Sequence, residues 1–407
     1  MLRLSALLTS ALLAAAPLAA QGATAPAAAQ EPGGVELKDA DHKKLGRPFG
    51  KWFEAKLKND FEDYTEALAD LVKECESFDK KLKPRSVLAL VKDWEVILDA
   101  GREYPTTGPL QKKGKAFSLE LPGGQSCAVR LPAEYNPKKE SYAAVMILAA
   151  GKAEDTLEAV PAEWKERFVL IGVDLAGLDA ESLFGEAGLT RMLAPIGVAS
   201  REYRVHRGRL FLAGLGDFGV AAASRLAAIY PMPFAGCAWV DGEPAASLNA
   251  VNLKLLAAEK KADMTEALGW FAQLPDRNAY PTDFEVVLTE PWQGRHYWVQ
   301  ALRFDPLEAV PTGKIARFKA HVDRASNTIT LDSEFVYQYK LYLNDAIVDL
   351  DREIVIVRNG ESYKFKADRS VGTLLDNFAN LLDPGMVFPA WLQRLDVPIP
   401  ASTGEGR

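Results

Sequence analysis

The sequence predicts an α/β protein with a mostly parallel sheet, preceded by a helical hairpin and followed by a small antiparallel β-sandwich module. Three observations predict this fold class. Apolar residues recur at helical spacing in the first region, continuous apolar runs alternate with helical stretches in the middle, and apolar and polar residues alternate near the carboxyl end. Continuous apolar runs separated by helices are typical of strands buried on both faces of a parallel sheet.

Residues 1 to 30 have the pattern of a secretory signal peptide followed by a leader. Arg3 precedes an apolar run from Leu4 to Ala16, and small residues follow as far as Ala29. We therefore expect cleavage between about Ala20 and Ala29 and a mature protein in the periplasm or outside the cell. The run is shorter than the roughly 20 apolar residues of a spanning helix, so no membrane anchor is expected after cleavage.

Charge and cysteine content exclude several classes of function. The formal net charge of −7 leaves no basic footprint, so we expect no nucleic-acid partner. Cys75, Cys127 and Cys237 lie far apart in apolar segments and are predicted to be core thiols. No metal-ligand spacing or cofactor motif is present, and the carboxylates of Asp349 and Asp351 are too few for the six to eight oxygen ligands of calcium. The sequence therefore predicts no metal and no cofactor.

The first region, residues 34 to 105, is predicted to be a helical hairpin. Apolar residues recur at helical spacing from Phe49 to Leu82, and Pro84 is predicted to open a second helix that ends near Gly101. His42 precedes the hairpin and has no partner nearby in the sequence, so we expect it on the surface.

The middle region, residues 114 to 281, begins with two strands around the turn Pro122-Gly123-Gly124, which predicts an antiparallel hairpin. Apolar runs with helical stretches between them follow. The predicted buried strands are Ala143 to Ala149, Phe168 to Leu175, Leu210 to Ala213 and Ala235 to Val240. Residues 245 to 274 are predicted to be helical throughout.

One stretch of this region, residues 208 to 236, reads "GRLFLAGLGDFGVAAASRLAAIYPMPFAG", which is a strand, a glycine-rich turn, an alanine-rich helix and the start of another strand. Together with the opening hairpin, this order resembles the α/β-hydrolase superfamily, in particular secreted esterase and prolyl-oligopeptidase-like proteins of planctomycete type. The resemblance covers residues 114 to 281. It implies a nucleophile on the turn, followed along the chain by an acid and a histidine.

The turn carries no serine. In the family it reads Gly-x-Ser-x-Gly, because a strained turn needs small neighbours. Its positions here are Gly214, Gly216, Asp217 and Gly219. Counting from the strand places the nucleophile at Gly216, and counting back along the helix places it at Asp217. Asp217 is either a carboxylate nucleophile, as in family members with an Asp-aromatic-Gly turn, or an acid that caps the helix.

The other catalytic elements of the family also depart from its pattern. Asp241 ends the next strand and is either the acid or a turn residue before Gly242. His296 is the first histidine after the turn, but it lies beyond residue 281, and His206 precedes the nucleophile strand. Ala150-Gly151 stands where the family has the His-Gly of the oxyanion loop.

Two functions follow from these departures. The first is a catalytically degenerate protein that binds a small molecule or a protein partner in the former active-site cleft. The alternative is an active hydrolase of ester or peptide-type bonds that uses Asp217 or an unrecognised nucleophile.

The last region, residues 283 to 398, is predicted to be the β-sandwich module. Alternating runs give six strands, and Asn359-Gly360 is the dipeptide of a type I′ hairpin. The module resembles the small β domain that follows the hydrolase-like domain in proteins of planctomycete type, a resemblance that carries no known chemistry. Four aromatic residues are either a platform for sugar stacking or residues that pack against the hydrolase-like domain: Trp292, Tyr297, Trp298 and Phe304.

Overall fold

The computed structural model describes residues 34–104, 113–121, 125–175, 177–178, 182–183, 185–244, 249, 252–253, 256, 259–290, 293–305 and 309–397. The predicted signal peptide and Trp292 lie outside the described residues. None of the helices among the described residues combines the length and the apolar character needed to span a bilayer.

The helical region contains three helices where a hairpin of two is predicted: α1 (Asp39–Lys58), α2 (Phe61–Leu82) and α3 (Val91–Ala100). The predicted continuous helix is interrupted at Asn59, which has a φ of 56°. Asparagine tolerates this left-handed conformation, and the side chain of Asp60 then caps α2 by accepting a hydrogen bond from the Asp63 N–H. The expectation that Pro84 opens a helix is wrong, since α3 begins only at Val91.

His42 is buried, contrary to the expectation of a surface histidine. Its Nε2 lies 2.8 Å from Oδ1 of Asp93, on α3. The Asp93 carboxylate also accepts hydrogen bonds from the backbone N–H groups of Glu36 and Leu37. The partner is 51 residues away in sequence, so no local pattern reveals it.

The middle region folds around one seven-stranded sheet with the order β1-β2-β4-β3-β5-β6-β7. The strands are β1 (Ala116–Leu121), β2 (Gln125–Arg130), β3 (Tyr142–Ala149), β4 (Val169–Val173), β5 (Val205–Leu215), β6 (Gly236–Val240) and β7 (Glu259–Lys261). The opening hairpin is antiparallel, and the strands from β4 to β7 run parallel to one another. The helices are α4 (Ala153–Ala159), α5 (Ala162–Arg167), α6 (Glu186–Glu202), α7 (Gly216–Ile229) and α8 (Met264–Gln273). This architecture is an α/β fold whose sheet is mostly parallel.

The prediction of a continuous helix over residues 245 to 274 is wrong. Glu259–Lys261 forms β7, which pairs in parallel with β6, and only Met264–Gln273 is helical in the described part of this segment. A three-residue edge strand is too short to give a period-2 pattern, so the sheet partner decides its conformation.

The last region, which we call the C-terminal module, contains two sheets around one core. The four-stranded sheet has the order β16-β13-β10-β9 and the five-stranded sheet the order β15-β14-β12-β11-β8. The strands are β8 (Asp283–Leu288), β9 (Arg295–His296), β10 (Val299–Phe304), β11 (Ala316–Asp323), β12 (Thr328–Glu334), β13 (Val336–Leu343), β14 (Ile354–Arg358), β15 (Glu361–Phe365) and β16 (Ala390–Asp396). The expectation of an antiparallel module is wrong at one place, because β12 and β14 are parallel.

The turn prediction holds in this module. Asn359 and Gly360 both have positive φ and join β14 to β15, as a type I′ turn requires. Tyr297 and Trp298 are buried in the module core, so they are packing residues rather than a stacking platform.

The helical region shares its core with the helix α9 (Val371–Leu381) of the C-terminal module. The ring of Phe378 meets Phe49 and Phe53 edge to face, with centroids 5.3 and 5.6 Å apart. The helical region is therefore not an independent hairpin. All three cysteines are buried free thiols, and burial raises the pKa of Cys75 and of Cys127 to about 12.

Candidate functional site

Three neighbouring strands of the parallel sheet end at the same level. Leu215, the last residue of β5, pairs with the last residue of β3 on one side and with the last residue of β6 on the other. The next residues, Ala150, Gly216 and Asp241, therefore leave the sheet side by side. In open α/β sheets this carboxyl edge is where ligands bind, so we take these residues as the centre of the candidate site.

The backbone of the strand-to-helix turn shows which residue, Gly216 or Asp217, has the strained conformation. Gly216 has a φ of 66°, a conformation that residues with a side chain rarely adopt, and it begins α7 directly after β5. A Cβ placed on Gly216 would meet no atom within 4 Å, so this position faces open space. The strained position of this turn, which we call the elbow (residues 214–219), is thus Gly216, and Asp217 is the residue after it.

The two flanking glycines permit close packing of α7 on the sheet. A Cβ on Gly219 would lie 2.2 Å from the carbonyl oxygen of Leu148, and one on Gly214 would lie 2.6 Å from the carbonyl oxygen of Gly219. Both contacts are with backbone, which has little freedom to move. The glycines at 214 and 219 are therefore required by close approach, and the glycine at 216 by its backbone conformation.

Substituting these glycines should separate the two causes. We expect Gly219→Ala to lower the free energy of unfolding by about 2–3 kcal/mol, because the methyl group is forced against the Leu148 carbonyl. Gly216→Ala should cost only about 1 kcal/mol, the usual strain of alanine at a left-handed position with free space around it. Chemical denaturation of both variants measures the difference. Equal losses would contradict the packing described here.

Asp217 is exposed in the first turn of α7. The cap position is Leu215, and no side chain caps this helix, so the expectation that Asp217 caps it is wrong. A carboxylate in the first turn is still favourable, because the amino end of a helix carries partial positive charge. Asp217 therefore projects a negative charge at the carboxyl edge, one residue beyond the strained turn.

Asp241 lies beside the elbow. It is exposed, has a φ of 55° and turns the chain after β6. A Cβ on the next residue, Gly242, would lie 3.1 Å from the Gly216 carbonyl carbon and 2.9 Å from Val220 Cγ2. The Asp241-Gly242 turn is thus packed on the elbow, and Asp241 has the place of an acid but also the conformation of a turn residue.

The oxyanion-loop position is open. Ala150 and Gly151 are both exposed, and Gly151 has a φ of 103° with no atom within 4 Å of a Cβ built on it.

One acid at the carboxyl edge, Asp174, was not predicted from the sequence. Asp174 directly follows β4, which lies next to β3. A polar residue immediately after a buried apolar run is the signal that could have found it.

All four histidines of the chain lie among the described residues, and none of them is at the elbow. His206 is at the amino end of β5, ten residues before Gly216, or roughly 30 Å along the strand. His42 is bound to Asp93 in the helical region. His321 lies on the exposed face of β11, where its Nδ1 is 3.2 Å from Asp283.

His296, the sequence candidate for the triad histidine, is fully buried in the C-terminal module. Its ring meets that of Phe318 at a centroid distance of 6.5 Å. Burial lowers the pKa of His296 to about 4, and the nearby backbone of Gln293 opposes this only in part. The ring is therefore neutral at pH 7 and shielded from any ligand at the carboxyl edge.

The acidic cluster of the C-terminal module already has a cation. Asp345, Asp349 and Asp351 bring carboxylate oxygens within 4.8 Å of one another. Arg369 donates to Asp345 at 2.9 Å and to Asp351 at 2.6 Å. Its guanidinium offsets one of the three negative charges and binds two of the three carboxylates in an ion-pair network.

No protein-family model matches this chain, and no curated protein matches it significantly. Among solved structures, puromycin hydrolase is 15% identical with a TM-score of 0.24, and the match covers 34% of this chain and 24% of that one. A hypothetical protein from Pseudomonas aeruginosa is 12% identical with a TM-score of 0.24, covering 42% and 57%. The BES protein from Bacillus cereus is 10% identical with a TM-score of 0.26, covering 40% and 82%. The match thus spans about a quarter of the length of the first of these proteins and somewhat more than half of the second. Similarities of this size carry no argument about fold family or activity.

Proposed function

We propose that this chain is an exported α/β-hydrolase-like protein that binds a ligand at the carboxyl edge of its sheet and does not hydrolyse it. The observation that carries the proposal is Gly216, which holds the strained position of the elbow and has no side chain to attack a carbonyl. Its open surroundings leave room for a ligand where the reacting groups of a hydrolase would be.

The expected loss in turnover is large enough to favour binding over residual catalysis. Loss of the serine or of the histidine from a catalytic triad costs about a millionfold in turnover. Among the described residues of this edge both are missing, since Gly216 stands at the place of the serine and His296 is buried in the C-terminal module. The effects of such losses are not additive, because the triad acts as a unit. Restoring the serine alone therefore leaves the proton without an acceptor.

The groups at the edge indicate the chemistry of the ligand. Asp217, Asp241 and Glu243 are exposed acids, and the ammonium of Lys261 pairs with Glu243. Backbone N–H groups at the start of α7 can donate to a ligand oxygen. This combination favours a neutral or cationic ligand with hydroxyl or amino groups, either a small molecule or the side chains of a partner protein.

One observation favours the second candidate function, a hydrolase with Asp217 as nucleophile. Asp217 is exposed at the edge, and the Asp241 turn packs against the same elbow. A covalent mechanism also needs a base that activates water, and the described histidines do not supply one near Asp217. Catalytic assays distinguish the two candidates directly.

The catalytic experiment compares the wild type with Asp217→Ala and Gly216→Ser. Each purified protein is incubated with a fluorophosphonate probe and with p-nitrophenyl acetate. We expect no stoichiometric labelling and equal background hydrolysis in all three, because Gly216→Ser places a hydroxyl at the elbow without a histidine beside it. Stoichiometric labelling of wild-type protein, or turnover that vanishes in Asp217→Ala, would contradict the binding proposal and favour a hydrolase.

The binding experiment uses a bulky residue to block the site. In a thermal-shift screen of monosaccharides, disaccharides and basic dipeptides, we expect the compounds that stabilise the wild type to lose their effect in Gly216→Phe. Gly313→Phe is the matched control, because Gly313 also has a positive φ and open space around it, but lies in a turn of the C-terminal module. Stabilisation that survives in Gly216→Phe would place the ligand elsewhere.

A further inference from the structure

A cavity of about 560 Å³ lies at the amino edge of the sheet, opposite the elbow. It is formed where three parts of the chain meet: Glu95 and Asp99 come from α3, Arg204 and Arg207 from the start of β5, and Ala346 from the C-terminal module. The volume is in the range of sites that hold small molecules. Tyr280 bridges the same three parts, since its hydroxyl lies 3.4 Å from Glu95 and accepts from the Val387 N–H at 3.0 Å.

The lining of this cavity is predominantly cationic. Its positively charged side chains are Lys92, Arg204, Arg207, Arg277 and Arg324, with His206 beside them. Each of the three acids in the lining has a basic side chain within 4 Å. Lys92 pairs with Glu95 at 2.9 Å, Arg204 with Asp99 at 2.7 Å, and His206 with Asp276 at 3.7 Å.

The buried wall of the cavity has more positive than negative charge. Arg207 and Arg277 share a single carboxylate, that of Asp383, at 3.6 and 2.5 Å. All three side chains are more than nine-tenths buried. The Nε atoms of both arginines are buried and have no hydrogen-bond partner among the described residues. Two guanidinium groups thus face one carboxylate, and one of them lacks a counter-charge. Burying a charge without a counter-charge is energetically costly.

We propose that this cavity binds a small anion that carries a carboxylate or a phosphate group, with Arg207 and Arg277 as its principal cationic contacts. The planar guanidinium group matches both anions and binds them through two parallel hydrogen bonds. The anion supplies the negative charge that Asp383 alone does not provide. Arg204, His206 and Arg324 also line the cavity, and these further basic groups favour an anion with more than one charged group.

This site is separate from the elbow and does not depend on the proposed function. Arg207 lies near the amino end of β5, whereas Gly216 follows its carboxyl end, roughly 30 Å away along the strand. The cavity also has contacts from the helical region and from the C-terminal module, so an anion bound there would hold the three parts of the chain together.

Isothermal titration calorimetry with inorganic phosphate and, separately, citrate tests the proposal, with ionic strength held constant by sodium chloride. We expect saturable binding of at least one probe with one site per chain. The phosphate and citrate titrations distinguish the two anion classes. Arg207→Gln should weaken binding by tenfold or more, on the order expected for a lost charge-assisted contact, and circular dichroism checks that this variant is folded.

A second variant keeps the test informative if Arg207→Gln does not fold. Asp276→Asn removes an exposed acid from the lining and should strengthen binding by about threefold, because one repulsive charge is lost. Asp283→Asn is the matched control, because Asp283 is also an exposed acid beside a histidine, His321, but lies outside this cavity. Absence of saturable binding with both probes, or affinities that Asp276→Asn and Asp283→Asn change equally, would overturn the proposal.

Discussion

Replacing Asp383 with asparagine is expected to lower the free energy of unfolding by about 3–5 kcal/mol, the cost of removing one partner from a buried ion pair. The carboxylate is 1% exposed and accepts from Arg277 at 2.5 Å and from the Gly385 N–H at 3.1 Å. Arg207 is its second cation. Asparagine keeps the shape of the side chain, but it leaves two buried guanidinium groups without a counter-charge.

The pH dependence of this loss has a defined sign. Burial alone would raise the pKa of Asp383, but the attraction of Arg277 and Arg207 outweighs burial and holds the pKa below its ordinary value. A depressed pKa stabilises the folded state above the ordinary aspartate range of about 4, and this stabilisation is lost as the pH falls through the folded-state value. The acid limb of the stability profile should therefore be shallower in Asp383→Asn.

Urea denaturation at pH 7 and at pH 3 to 5 measures both effects. Asp276→Asn is the control, because Asp276 lies in the same cavity but its side chain is more than half exposed. Its substitution should change stability by less than about 0.5 kcal/mol. A loss below about 1 kcal/mol in Asp383→Asn would show that the two arginines are solvated or paired in another way.

The buried His296 should make the protein sensitive to mild acid. Its pKa is lowered from 6.5 to about 4 by burial. Between these pH values the unfolded chain binds a proton that the folded chain does not, so the free energy of unfolding falls as the pH falls. The difference between the two pKa values corresponds to roughly 3 kcal/mol lost between pH 7 and pH 4.

Substitution by phenylalanine isolates this effect, because it keeps an aromatic ring in the core and removes the titrating nitrogens. We expect the stability of His296→Phe, measured by urea denaturation, to fall less than that of the wild type between pH 7 and pH 4. The control is His321→Phe, whose ring lies on the exposed face of β11. It should keep the wild-type profile. Parallel profiles for wild type and His296→Phe would show that the ring accepts a proton in the folded state.

Several features of the fold could be predicted because their signals are local. The apolar runs of β3 to β6 and the helix after the elbow are visible in the sequence, since strands buried on both faces are continuously apolar. The hairpin at Asn359-Gly360 could be predicted because both positions need a positive φ. The short strand β7 and the parallel pair β12 and β14 could not, because each takes its conformation from a neighbour distant in the chain.

The sequence by itself determined that the turn after β5 has no serine and that no histidine follows within the same region. It left open whether Gly216 or Asp217 holds the nucleophile position, because counting from the strand and counting from the helix differ by one residue. Only the tertiary structure decided this, since the positive φ of Gly216 depends on how α7 packs on β3 and β6. Tertiary structure also determines that His42 and His296 are buried, and it brings together the three distant segments that line the arginine-rich cavity. The physical reason is the same in each case: burial and charge pairing depend on contacts between residues far apart in the chain, which no local pattern records.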